Sequence, residues 1–340
     1  MRKHNVAALA LAGLLAAVGT ALPAARAAAA DAAVVLTYEQ FGEDDRPEAS
    51  VRLDQLEAHI AELKAGGYAV LPLPDIVAAL TAGRPLPDKA VAITIDGAPA
   101  SAYRQAWPRL KAAGLPFTLF VASDLADQGG DFMTWDQIRE LAASGLVSIG
   151  SLGASYVHLG TLPEAEAKAD LARARARFLA ELGRAPDLLA WPYGEASTAA
   201  MDMARAQGFV AAFGQHSGVA WAGGPRYFLP RFGLNEAFAD PDRFRLAVRA
   251  LPLPVTDITP ADPRITNNPP AFGFTVTDEA AANGLACYSS SEGPLILERL
   301  GPRVEIRARH PFPAGRVRLN CTTPSLDGRW RWFGWQFSVP

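Results

Sequence analysis

The sequence predicts an α/β fold followed by a small antiparallel β domain, and three observations predict it. From Ala32 to about Ala250, short apolar runs alternate with segments of helical spacing. Six prolines then fall between Leu251 and Pro270 without periodicity, which reads as a linker. The final stretch of about 70 residues, 271–340, reads as short strands, several alternating apolar with charged positions as in a sheet with one wet face.

The first strand is Val34–Tyr38, followed by a helix through Leu53, Leu56, Ile60 and Leu63. Tyr68–Leu71 and the helix Ile76–Leu80 come next, then the buried strand Val91–Ile95 and its helix Ser101–Ala113. Phe117–Val121 is a strand and Thr134–Ala143 its helix; Leu146–Ile149, Leu188–Trp191 and Val210–Phe213 are further strands. Helices over Pro163–Leu182 and Ser197–Gln207 separate those three. This alternation implies a parallel sheet with right-handed crossovers. Six or seven such units suit a closed or nearly closed barrel; a doubly wound open sheet fits the same pattern. Beyond the linker, Phe272–Val276, Leu285–Tyr288, Val304–Arg307, Val317–Cys321 and Trp332–Val339 fit β structure.

The N-terminus carries an export pattern. Arg2 and Lys3 precede an almost unbroken apolar run from Val6 to Leu22, and Ala25-Arg26-Ala27 offers a small-residue cleavage site. An apolar run of about 17 residues is marginal for a membrane span, so a signal peptide over 1–27 and a periplasmic or secreted product without a stable span are expected. Cleavage removes three of the 32 basic residues and leaves 29 against 35 acidic, a net charge of about −6. That balance argues against nucleic acid or an anionic membrane as partner. Cys287 and Cys321 are the two cysteines. In an oxidising compartment they could bridge neighbouring strands of the small domain, or stand as two buried thiols.

In an α/β barrel, reactive groups sit at the C-terminal ends of the strands. Asp96 ends an otherwise apolar strand, where a carboxylate is costly without a partner or a task. It could equally cap a helix or hold a turn. The loops containing His158 and His216 and the segment Trp191-Pro192-Tyr193-Gly194 occupy corresponding ends.

The order of these segments carries a resemblance. Ala92-Ile93-Thr94-Ile95-Asp96, then Trp107 through Ala122, Met133 through Gly145, Ile149-Gly150-Ser151 and Trp191-Pro192-Tyr193-Gly194 are together similar to the polysaccharide deacetylase family over about residues 32–240. The resemblance implies a distorted, incomplete barrel with a seven-stranded parallel core. It also implies a hydrolase of carbohydrate metabolism that removes acetyl groups from N-acetylglucosamine-containing glycans. The family uses a divalent metal, usually zinc, held by one Asp and two His, with a second Asp as general base.

On that alignment Asp96 takes the general base position, and the three ligand positions fall on Gly97, Leu152 and Tyr156. Glycine and leucine cannot coordinate zinc, and a neutral tyrosine is a poor ligand. No cofactor is therefore expected. His158 matches a further family histidine that is not normally a ligand, and Ala190 stands where the third motif usually has Arg. Trp191, Pro192 and Tyr193 match that motif and are expected, with His216, to contact a glycan; Trp221 and the loop Gly214–Gly218 are expected on the same face. Glu39, His158 and Glu195 are a further set that could assemble with Asp96. Trp330, Trp332 and Trp335 read either as a carbohydrate platform or as the core of the small domain. Three functions follow: an active deacetylase, a catalytically inactive glycan-binding pseudoenzyme, or an interaction protein of the cell envelope in which the barrel supports the β domain.

Overall fold

The computed structural model describes residues 29–278 and 283–340. The expected signal peptide lies outside the described residues. Among these, no helix is long and apolar enough to cross a membrane.

Strands alternating with helices build the chain from Ala32 to Phe213. Strands β1 (Ala32–Tyr38), β2 (Ala90–Asp96), β3 (Phe117–Val121), β4 (Val147–Ser151), β5 (Leu188–Ala190) and β6 (Ala211–Phe213) are parallel and neighbours in the order β6-β5-β4-β3-β2-β1. Every residue of β1, β2 and β3 is buried, as expected of parallel strands covered on both faces. A further parallel strand, β7 (Phe232–Gly233), pairs with β1 through Phe232 and Leu36, and Leu229 just before it bridges to Phe213 of β6. The segment 229–233 thus carries the sheet round from β6 to β1. Helices α1 (Leu53–Ala65), α2 (Leu73–Thr81), α3 (Trp107–Ala113), α4 (Trp135–Ala143), α5 (Glu164–Leu182) and α6 (Thr198–Ala206) form the connections.

Local sequence fixes the helix ends. Thr134 accepts from the Gln137 amide and Gln137 reciprocates toward the Thr134 amide, a capping box that starts α4. The barrel interior is narrow because small residues point into it: Ala33, Ala92, Ala122, Ala190 and Ala211 surround Phe120, Leu152 and Phe213, and Leu73, Ile76 and Leu80 of α2 join the same cluster. The larger apolar side chains of the strands face the helices instead.

The rest of the chain forms two sheets of five and four strands, antiparallel except where Leu251–Pro252 runs parallel to Trp330–Val339, with Phe272, Phe274, Phe333 and Phe337 between them. Cys287 and Cys321 are cross-strand partners and form a disulfide, so of the two states open to them the bridge is the one observed. The expected linker is corrected. Leu251–Pro252 and Val255–Thr259 are outermost strands of the two sheets. Prolines 252, 254 and 260 obscured them, because proline is tolerated on edges where no ladder donor is needed.

This β region packs across the C-terminal end of the barrel. Gln336 donates to the carbonyls of Tyr193 (3.2 Å) and Gly194 (2.9 Å), and Arg316 donates to the Tyr193 carbonyl at 3.1 Å. Residue 334 must be glycine here, since a Cβ would come within 1.8 Å of the Ser217 carbonyl oxygen. Trp335 is buried against Phe228, and Trp332 packs edge-on to Phe232. Two of the three tryptophans therefore serve the seam, and only Trp330 is exposed.

Candidate functional site

Asp96 stands at the last position of β2, paired in register with Phe120. Its carboxylate is buried, and its partner is Arg231, from the turn of chain that leads into β7. Arg231 Nη1 and Nη2 donate to Asp96 Oδ1 and Oδ2, each at 2.7 Å, and both side chains are essentially inaccessible. Two more of its donors are placed: Nε gives to the Gly214 carbonyl at 2.9 Å and Nη1 to Thr94 Oγ1 at 3.0 Å. Thr94 in turn donates to the Leu36 carbonyl, and the guanidinium lies over the Phe120 ring. Sequence reasoning missed Arg231. The signal was a lone charge within the apolar run Phe228 to Phe232, the same kind of signal that singled out Asp96.

The loop after β4 brings the aligned ligand positions to this pair. Leu152 is fully buried in the apolar cluster of the barrel interior. Gly97 turns the chain at φ +90°. Tyr156, also at positive φ, lies close enough for Glu39 and Asp96 to raise its phenol pKa, after burial, which is the larger cause. Asp170 of α5 holds this loop by accepting from the Ala154 and Ser155 amides and the Ser155 hydroxyl.

Glu39, just after β1, lies beside the pair. Burial first and the Asp96 charge second push its carboxyl up to about 7, against the opposing pull of Arg231, Arg316 and Arg318. Gln215 donates to it at 3.4 Å. The further set of Glu39, His158 and Glu195 thus divides. Glu39 joins Asp96, while His158 Nδ1 lies 2.6 Å from Glu195 Oε2 in a separate dyad.

The expected glycan contacts need correction. Trp191 is fully buried, with its indole N–H donating to the Tyr227 carbonyl at 2.9 Å, and Pro192 is buried beside it. His216 is also buried, packed on Phe228, and burial pushes its pKa down to about 3. None of these three presents a face to a ligand. Trp221 pairs with Ala32 at the start of β1, the end of the barrel opposite Asp96. Tyr193 does reach the mouth, at φ 60°, with the His158 ring stacked on it at 4.1 Å and Tyr156 edge-on at 4.9 Å. A side chain at Gly194 would strike the Gln215 backbone, so the turn that projects Tyr193 depends on that glycine. Among the described residues, no group of three or more His, Cys, Asp or Glu is placed to hold a metal ion.

Comparison with known proteins agrees with the fold. Residues 83–212 match the polysaccharide deacetylase family model. The chain is 28% identical over 212 residues to the poly-beta-1,6-N-acetyl-D-glucosamine N-deacetylase of Escherichia coli K12, covering 50% of this chain and 32% of that one. It therefore spans about a third of the length of that relative. Among solved structures, IcaB from Ammonifex degensii superposes with a TM-score of 0.57 at 25% identity, over 64% of this chain and 97% of that one. The Streptococcus pyogenes deacetylase PplD, solved with acetate, gives 0.59 at 17% identity over 64% and 98%, a likeness of fold.

Proposed function

We propose that this chain, whose residues 83–212 match the polysaccharide deacetylase family model, is an exported glycan-binding member of that family in which metal-dependent N-deacetylation is weak or absent. The substrate class is that named for the E. coli relative, a polymer of N-acetylglucosamine. One observation carries the reading: the three aligned ligand positions hold no donor suited to zinc. Gly97 has no side chain, Leu152 is locked into the apolar interior, and Tyr156 is held as a neutral phenol. A family-type metal does not fit these residues. Asp96 has its charge balanced by Arg231 and needs no cation to do so.

Without a metal, the mouth offers Glu39, Tyr156, Tyr193 and Gln215 as polar and aromatic groups toward an N-acetylated sugar. These can hydrogen-bond and pack against a ring but supply no Lewis acid for attack on the acetamide carbonyl. Export rests on the charge and apolar pattern of residues 1–27. A second reading, an interaction protein in which the barrel supports the β region, is favoured by the way Arg316, Gln336 and Gly334 close over the mouth. Titration with N-acetylglucosamine oligomers separates the two. Glycan binding is expected with equal affinity in added zinc and in chelator, and reduced at least tenfold by Tyr193→Ala. Absence of binding would favour the second reading, and binding that requires zinc would refute the first.

A further inference from the structure

The β region lays one face of a strand pair over the barrel mouth. Along Gly315–Pro324 the side chains alternate: Val317, Leu319 and Cys321 are buried, and Arg316, Arg318 and Asn320 lie on the opposite face. On the paired strand Trp330–Val339, the register sets Ser338, Gln336 and Gly334 beside them. Contacts fix where that face points. Arg316 and Gln336 donate to the turn that projects Tyr193, and Gly334 abuts the Ser217 carbonyl. Arg318, between Arg316 and Asn320 and opposite Gln336, is therefore carried over the same mouth. Its charge is felt there, drawing both the Glu39 carboxyl and the His216 imidazole toward lower pKa.

Arg318 has donors to spare. Nε gives to Gln336 Oε1 at 3.2 Å, but among the described residues Nη1 and Nη2 donate to no group and the side chain forms no ion pair. It is nonetheless half-buried, and that burial holds its pKa below the ordinary arginine value. A desolvated guanidinium without a partner is costly and uncommon. Glu39 has the complementary vacancy: Gln215 donates to Oε1 at 3.4 Å, and Oε2 accepts no hydrogen bond among the described residues. Asp96 is matched by Arg231, and Glu39 lies within the field of Arg318, so net charge does not select the ligand. What the two side chains offer is a pair of donors beside an acceptor. A secondary amide presents the complement, a carbonyl oxygen that accepts and an N–H that donates.

Resting on the glycan-binding reading above, we propose that Arg318 is a specificity residue for the N-acetyl group, contributed to the barrel mouth by the β region. Its Nη donors take the acetamide carbonyl, Glu39 Oε2 takes the acetamide N–H, and Gln336 holds the guanidinium in place. Arg318 and Gln336 both lie outside the family-matched residues 83–212, so this recognition belongs to the β region of this chain.

Calorimetric titration of the full chain with N-acetylglucosamine oligomers and with glucose oligomers of the same linkage tests it; both are neutral, and the second lacks the acetamide. The parent should bind the acetylated oligomer at least tenfold tighter. Arg318→Met, which keeps the aliphatic stem, should reduce that preference to threefold or less while the melting temperature stays near that of the parent. Should that variant not fold, Arg318→Lys keeps the charge without the planar fork and should lower the preference at least threefold. The ratio between the two sugars is the readout, since a merely structural loss would weaken both alike. A parent that binds both oligomers equally, or a preference unchanged in the folded variant, would overturn the proposal and leave the glycan-binding reading standing. A parent that binds neither oligomer would overturn both.

Discussion

Arg231 meets Asp96 end-on, with two hydrogen bonds of 2.7 Å between side chains that solvent does not reach. The pair joins the end of β2 to the segment that closes the sheet between β6 and β1. Two residues 135 positions apart therefore hold the mouth of the barrel together.

Breaking that pair from one side leaves a buried charge without its partner. Arg231→Met should cost about 3–5 kcal/mol of unfolding free energy, measured by urea denaturation. The double variant Arg231→Met with Asp96→Leu should recover a large part of the loss. A single variant within about 0.5 kcal/mol of the parent would show that the pair is not desolvated as described.

Glu39 gives a pH dependence with a definite sign. Its folded carboxyl sits at about 7, above the ordinary glutamate value of about 4.3. The folded state thus holds a proton that the unfolded chain has already lost. The stability from this group is fully present below about pH 4.3 and is lost as pH rises through 7. Replacing Glu39 with Gln should flatten the fall in denaturation midpoint between pH 5 and pH 8. An identical or steeper slope in the variant would contradict the assignment.

The Cys287–Cys321 bridge closes a loop across a sequence separation of 34 residues. Its removal should destabilise the β region by about 3–4 kcal/mol. Hydrogen exchange after reduction should accelerate in residues 286–324 and leave β1 to β4 largely protected. Uniform loosening of the barrel would instead mean that the two halves unfold as one unit.

Reinstating ligands probes how far the site has diverged. A Cβ at Gly97 meets open space, although φ +90° strains any side chain there. Gly97→Asp, Leu152→His and Tyr156→His together should raise bound zinc above the parent level. A folded triple variant with zinc at the parent level would mean that the supporting groups are unsuited as well.

The parallel strands were legible because burial on both faces makes them continuous apolar runs, as in Val91–Ile95 and Phe117–Val121. Val255–Thr259 and Ile296–Leu300 were not, since edge strands there are mostly exposed and carry no apolar run. At the site, Asp96 stood out as a charge ending a buried strand. Its partner did not, because pairing across 135 residues leaves no local spacing. Trp191 and His216 were misjudged for a related reason. A strand-end aromatic or loop histidine looks alike in sequence whether it faces solvent or, as here, the Tyr227 carbonyl and the Phe228 ring.

The central claim is that the positions aligned with the family's metal ligands hold no metal. Zinc content of the purified protein, measured per chain alongside deacetylation of N-acetylglucosamine oligomers, tests it most directly. The expected result is zinc far below one per chain and no acetate release above background, with or without added metal. One tightly held zinc per chain, with turnover abolished by chelation and restored by zinc, would contradict it.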